Sequence, residues 1–165
     1  MLFEKVIDED QIEIIDDMAC DIWNEYFTPI IGKAQVDYML DKFQSKKAIT
    51  KQMEKGFEYY LIKVDEECFG YLCVLPEEEK LFLSKIYIIS TERGKGYGRQ
   101  AIEFLEKVAI EKGSRSISLT VNKNNLGAIE MYKKLGFENK GGVVQDIGNG
   151  FIMDDYKMKK VLIYN

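Results

Sequence analysis

Between Phe57 and Ile89 the chain reads as three strand-like runs with almost nothing between them, and this stretch restricts the fold more than any other. Phe57 to Val64 is aromatic and β-branched, Asp65-Glu66-Glu67 is a turn, and Cys68 to Leu75 repeats the pattern. Pro76-Glu77-Glu78-Glu79-Lys80 turns the chain again into Leu81 to Ile89, the most strand-like stretch in the sequence. Connections this short join antiparallel neighbours, because a parallel return needs a crossover of a dozen residues or so.

After Ile89 the period changes from two to that of a helix. Ala101, Leu105, Val108 and Ala109 fall on one helical face while Glu103, Glu106, Lys107 and Glu111 lie elsewhere, which predicts a helix over 98–112 ended by Gly113. Ser116 to Val121 reads as a strand and Asn125 to Leu135 as a helix ended by Gly136. Phe137 to Val144 and Phe151 to Lys159 read as strands around a Gly148-Asn149-Gly150 turn. Upstream, residues 1–6 alternate as a short strand. Ile12, Ile15, Met18 or Ala19, Ile22, Trp23 and Tyr26 predict a helix near 9–27 that stops before Pro29. Val36, Met39, Leu40 and Phe43 predict a second near 33–44, and Ala48, Ile49 and Met53 a short third. The predicted class is α+β: a central mixed, mostly antiparallel sheet flanked by helices, in the order β-α-α-β-β-β-α-β-α-β-β. At 165 residues, with no repeat, no low-complexity segment and no linker around Pro29 or Pro76, residues 1–165 read as a single domain.

Composition narrows the chemistry. There is no histidine, so Ser/His and Cys/His pairs and histidine-bearing metal sites are excluded, and no metal is expected. Cys20, Cys68 and Cys73 form an odd set with neither CxxC nor zinc spacing, and read as reduced, buried thiols in a reducing compartment. A net charge of -5 argues against a broad grip on nucleic acid. The start Met1-Leu2-Phe3-Glu4-Lys5 has no basic region followed by an apolar one, and no apolar run approaches the roughly 20 residues of a membrane span. A cytoplasmic protein without nucleic-acid or membrane partners is the expectation.

The strongest local signal is Arg93-Gly94-Lys95-Gly96-Tyr97-Gly98-Arg99, between a strand and a helix start. Glycines at alternate positions let the backbone approach a ligand, several N–H groups can converge on one anion at the positive end of a helix, and Arg93, Lys95 and Arg99 add charge. The pattern suits a pyrophosphate; a flexible glycine turn with solvated charges is the plainer reading. No Lys-Ser/Thr pair makes it a Walker A loop, and Arg99 stands where a dinucleotide GxGxxG needs its last glycine.

Together with the strand Ile86-Tyr87-Ile88, Arg93-x-x-Gly96-x-Gly98 and Asn125-x-x-Ala128-Ile129-x-x-Tyr132-x-Lys134-x-Gly136-Phe137 resemble the two core motifs of the GCN5-related N-acetyltransferase (GNAT) family. The resemblance spans 81–137 and implies the acyl-CoA N-acyltransferase fold and acetyl-CoA as co-substrate. It makes Arg93 to Arg99 the pyrophosphate site and the main chain of Ile86, Tyr87 and Ile88 the edge that pairs with pantetheine, on a strand that in such proteins splays from the next, here Ser116 to Val121. A backbone N–H near Ile88 becomes the oxyanion donor. Tyr132 becomes the acid that protonates the departing thiolate, Asn125 a cofactor ligand near it, and Lys134 either a phosphate ligand or a solvated helix lysine. A phenol near pKa 10 can donate to a thiolate whose acid lies near 8.5.

The general base departs from a common family pattern. Phe82 stands where several members carry a glutamate, and Ser84 on the same face can only anchor a water. Deprotonation of an ammonium is left to water, a tyrosine or a carboxylate from another element, with Glu25, Tyr26, Tyr71, Asp154 and Asp155 as candidates. By resemblance the acceptor site draws on the first helices, their loop and the last strands, which points to Trp23, Glu25, Tyr26, Tyr71 and Asp155 as acceptor-binding residues. Aromatic faces with a carboxylate suit a small cation. The expected activity is acetyl transfer to a small, polyamine-like or other cationic primary amine. A protein or peptide acetyltransferase and a catalytically weak acyl-CoA binding regulatory module are the alternatives. A homodimer is compatible with such folds, and the sequence carries no interface signal of its own.

Overall fold

The three strand-like runs become β2 (Glu58–Val64), β3 (Glu67–Pro76) and β4 (Lys80–Ile88) in a computed structural model that describes residues 1–163. β2 and β3 pair antiparallel, and the turn between them is Asp65 and Glu66, both with positive φ (50° and 72°), as a two-residue hairpin loop favours. β1 (Leu2–Lys5) adds antiparallel to β2. Lys80–Leu83 of β4 run parallel to Ser116–Leu119 of β5 (Ser116–Asn122), while β4 itself continues to Ile88. β7 (Phe151–Val161) pairs antiparallel with both β5 and β6 (Glu138–Gly148). The hydrogen-bonded strand order is β1-β2-β3-β4-β5-β7-β6, the mixed, mostly antiparallel sheet expected.

The chain divides into two compact units, Met1–Leu75 with Lys85–Gly98, and Pro76–Ser84 with the chain from Arg99 onward. In the first, α1 (Glu9–Tyr26) starts at a reciprocal cap: Asp8 accepts from the Gln11 amide at 2.9 Å and the Gln11 side chain accepts from the Asp8 amide at 3.1 Å. Its buried face is Ile12, Ile15, Met18, Ala19, Ile22 and Trp23, the periodic set read from the sequence. A one-turn helix not expected, α2 (Thr28–Ile31), carries Pro29 in its first turn, where the missing N–H costs nothing.

The expected helix over 33–44 is α-helical only as α3 (Lys33–Met39); Leu40–Gln44 form a π-helical turn, after which Ser45 caps α4 (Lys46–Glu54). Side chains take over the hydrogen bonds that a regular helix would make there. The Phe43 carbonyl accepts from Gln52 Nε2 at 3.0 Å and from the Lys85 ammonium, and buried Gln44 accepts from the Tyr71 hydroxyl at 2.9 Å. Lys85 lies on the inward face of β4 in alternation with Leu81 and Leu83, 6% exposed, and donates to Phe43 O, to Gln52 Oε1 at 3.0 Å and to the Tyr59 hydroxyl. Its three N–H bonds are therefore used, and burial still pulls its pKa down to about 8.

In the second unit α5 (Tyr97–Glu111), whose first two residues belong to the first unit, buries Ala101, Ile102, Leu105, Val108 and Ala109. It closes with Gly113 at φ 76°, the Gly113 amide on Ile110 O at 3.0 Å and the Ser114 amide on Ala109 O at 2.8 Å, a Schellman ending. Lys160 of β7 forms an ion pair with Glu106 of α5. The cysteines are free thiols, and Cys73 is buried, Cys68 half-buried; Cys20, expected inside, is exposed, because it falls on the outer side of α1. Among the described residues no helix is long and apolar enough to cross a membrane.

Lys85 gives the fold a pH signature. Between pH 8 and its ordinary 10.5 the unfolded chain still binds a proton that the folded chain has released, so this group makes stability rise with pH in that window. Urea unfolding of wild type and Lys85→Met should show the difference shifting toward wild type by up to about 3 kcal/mol across the window. A difference that does not change with pH contradicts a buried ammonium here.

Candidate functional site

The first unit holds the glycine loop and the strand end before it. Gly94 and Gly96 have φ of 79° and 84°, conformations a side chain resists, and a Cβ at either would meet nothing within 4 Å. Glycine serves the backbone path here, and the space beside it is open. Gly98 and Tyr97 lie in the first turn of α5, where amide groups lack helical partners. The charged side chains are partly committed. Arg93 Nε donates to Ile88 O at 3.0 Å and its guanidinium lies 4.5 Å from the centre of the Tyr26 ring, while Lys95 pairs with Glu92 at 2.8 Å. Arg99 is exposed.

Ile86, Tyr87 and Ile88 are half-buried at the end of β4. Gly70 of β3 permits a close approach there, since a Cβ on it would run into the Tyr87 carbonyl and come within 3.2 Å of Ile88 Cα. Tyr87 is the hub of an aromatic cluster, with ring centres 5.5 Å from Trp23, 5.8 Å from Phe27 and 5.4 Å from Tyr71, and Phe27 is 5.0 Å from Tyr26. The expected acceptor residues Trp23, Tyr26 and Tyr71 therefore belong to one aromatic cluster at the end of β4. Their exposures separate them: Trp23 is 3% and Tyr71 0% exposed, which makes both packing residues, while Tyr26 is half-buried. Burial holds the Tyr71 hydroxyl well above its usual pKa, so it donates to Gln44 and accepts no proton. Glu25 is exposed on α1.

The second unit holds the rest. Asn125 caps α6 (Leu126–Lys134), its side chain accepting from the Ala128 amide at 3.4 Å, and it is 7% exposed. α6 ends in a second Schellman motif, with the Phe137 amide on Tyr132 O at 3.0 Å and the Gly136 amide on Lys133 O at 3.1 Å. The hydrophobic contact typical of that ending is Tyr132 against Phe137, ring centres 5.5 Å apart, so the helix terminus itself fixes the Tyr132 ring, which is 7% exposed. Lys134 is exposed in the last turn. Ser84 is half-buried on β4; Phe82, two residues before it, stands opposite Ser118 of β5.

Asp155 lies on β7 opposite Asn122, the last residue of β5, and opposite Val143 of β6. It is 2% exposed and its Oδ1 has no hydrogen-bond partner. Burial first, and then the neighbouring Asp154 charge, push its carboxyl up to about 6, against a smaller downward pull from Lys123. Asp154 points its charge into an ion pair with Lys123 at 2.7 Å.

Sequence reasoning missed the Lys85 cluster with Gln44, Gln52 and Tyr59. A period-two reading of Leu81, Leu83, Lys85 and Tyr87 would have put a lysine on the apolar face and flagged it.

Residues 17–137 match the model of the acetyltransferase (GNAT) family. An uncharacterized N-acetyltransferase of Methanocaldococcus jannaschii is 29% identical over 117 residues, 61% of this chain and 50% of that protein. YycN of Bacillus subtilis, also an uncharacterized N-acetyltransferase, is 30% identical over 104 residues, 57% of this chain and 67% of YycN. The chain thus spans half to two thirds of these relatives' lengths. The crystal structure of the PaiA N-acetyltransferase of Thermoplasma acidophilum in complex with coenzyme A is similar over 98% of this chain and 100% of that one, with a TM-score of 0.77 at 19% identity, a likeness of fold. The family match covers both the glycine loop and the Asn125–Phe137 segment, and the chain belongs to the GNAT family of acetyltransferases.

Proposed function

We propose that this chain is an acetyl-CoA-dependent N-acetyltransferase acting on the primary amine of a small cationic molecule, polyamine-like in charge, and that residues 1–165 work as one such domain in the reducing cytoplasm. The observation that carries the reading is the glycine loop: two positive-φ glycines with open space beside them, followed by the first turn of α5, where a helix leaves its amides without helical partners. These residues fit the pyrophosphate of a coenzyme A thioester, whose acyl group the cofactor supplies for transfer. Gly94 to Arg99 hold the phosphates, and the backbone of Ile86, Tyr87 and Ile88 orients the chain of the cofactor. The Ile88 amide stabilises negative charge on the acyl oxygen, a contribution worth roughly 3 kcal/mol when such a donor is lost. Tyr132, held by its Schellman ending, donates a proton to the leaving sulfur, and Asn125 and Lys134 contribute to the cofactor side. Ser84 anchors a water. The acceptor-side candidates are Tyr26 and Glu25 in the first unit and Asp155 in the second, while Trp23 and Tyr71 are packing residues.

A screen of coenzyme A thiol release with alkylamines, polyamines, amino acids, aminoglycosides and peptides tests the reading. Release with small amines is expected; release with peptides alone favours a protein acetyltransferase, and acetyl-CoA binding with no release across the panel favours a regulatory binding module. Tyr132→Phe should lower turnover at least about tenfold and leave acetyl-CoA affinity unchanged. Unaltered turnover across the pH range removes Tyr132 from the mechanism. Asn125→Ala should cost about 1 kcal/mol of stability through the lost cap, whereas Asn125→Ser keeps an acceptor there. A cofactor role predicts a raised acetyl-CoA KM in both variants; a KM raised only in the destabilised Ala variant reduces Asn125 to a cap.

A further inference from the structure

We infer that Asp155 is the proton acceptor for the acceptor ammonium, an inference that rests on the amine acetyltransferase reading above. Six other groups that could accept a proton are each committed, buried with a raised pKa, or exposed. Tyr71 donates to Gln44, Asp154 is paired with Lys123, and Lys85 spends its three N–H bonds on Phe43, Gln52 and Tyr59. Cys73 is buried with its thiol pushed up to about 12, the Tyr26 ring lies under the Arg93 guanidinium, and Glu25 is a surface side chain.

Asp155 differs from all of these. Its side chain is inside the protein, and Oδ1 has none of the donors that a buried carboxylate needs. A carboxylate left this way is complemented by a ligand that brings both positive charge and N–H donors, which an alkylammonium does. Its position agrees: it sits beside Asn122, where β5 ends and the chain turns through Asn125 into the helix that bears Tyr132. The ionisable groups acting on it are Asp154, which favours its protonated form, and Lys123, which favours the charged one. The net shift to about 6 leaves it mostly ionised at neutral pH and a stronger base than an ordinary aspartate.

The step balances. Asp155 takes one proton from R–NH3⁺ and becomes the neutral acid, and the nitrogen lone pair so released forms the N–C bond to the acyl carbon. The C–S bond breaks with its electron pair on sulfur and Tyr132 protonates the sulfur; the second proton that the acylated nitrogen must lose to become a neutral amide returns through water to the tyrosinate, and the proton on Asp155 passes to water.

The test uses Asp155→Asn, which keeps shape and hydrogen-bonding capacity, beside wild type. With an alkylamine acceptor, kcat/KM for the amine in wild type should fall on the acid side with a midpoint near 6, and the variant should lose about 100-fold at neutral pH together with that limb. With hydroxylamine, already neutral at that pH, the variant should lose less than about tenfold, since no proton has to be removed. Independently of activity, carbon-13 NMR of aspartate-labelled protein should show one carboxyl titrating near 6 in wild type, absent from the variant, and moving downward when a non-reacting alkylammonium is added. A variant that keeps the acid limb, or loses as much with hydroxylamine as with the alkylamine, overturns the assignment. Should the variant not fold, the wild-type carboxyl titration decides: no carboxyl near 6, or none that responds to the cation, overturns it. If wild type releases no coenzyme A with any amine, it is the acetyltransferase reading that fails, whatever the titration gives.

Discussion

Strand β4 sets the terms for everything else in this protein. Over nine residues its backbone serves first the second unit, where Lys80–Leu83 run parallel to β5, and then the first, where Ile86–Ile88 close against β3 with Gly70 removing the side chain that would block them. Its side chains are equally divided. Leu81, Leu83 and Lys85 go inward, and Lys85 fastens the strand to the π-helical turn through the Phe43 carbonyl and to Gln52 and Tyr59. A buried ammonium with all three donors used fixes geometry more tightly than an apolar side chain, because removing any partner leaves a charge uncompensated. Tyr87 then carries that fixed position outward into the aromatic cluster with Trp23, Phe27 and Tyr71.

The loop after this strand inherits its placement. Arg93 returns to the Ile88 carbonyl and stacks over Tyr26, so the loop starts from a held point before Gly94 and Gly96 take their positive-φ conformations. A chain without histidine must do acid and base chemistry with other groups, and the two units supply contrasting ones: hydroxyls and thiols pushed up by burial in the first, and in the second a phenol fixed by a helix ending and a buried carboxylate. Charge separation by environment is the general way proteins assign acids and bases. Donation to sulfur suits Tyr132, and acceptance from an ammonium suits Asp155.

The element order was legible because apolar spacing carries it: period two through Phe57–Ile89, then the helical face of Ala101, Leu105, Val108 and Ala109. Both helix endings were legible from Gly113 and Gly136. The glycine loop stood out in the sequence because positive φ, found at Gly94 and Gly96, leaves its mark on residue type. What escaped depends on tertiary partners. Val36, Met39, Leu40 and Phe43 keep a helical period straight through the π-helical turn, whose Phe43 carbonyl is bonded by Gln52 and, 42 residues away, by Lys85. Asp155 was one of several acidic candidates, and only its burial beside Asn122 and its open oxygen separate it from Asp154 next door. Cys20 was misplaced because a thiol gives no periodic signal of its own.

The central claim is that the main chain of the β4 end and the glycine loop receives the thioester cofactor. Amide hydrogen exchange with and without acetyl-CoA tests it most directly. The account predicts that on adding acetyl-CoA the amides of Gly94–Arg99 and of Ile88 slow together, while those of the paired strands β1 and β2 are unchanged. Binding of acetyl-CoA that leaves exchange at Ile88 and the loop unaltered would contradict it.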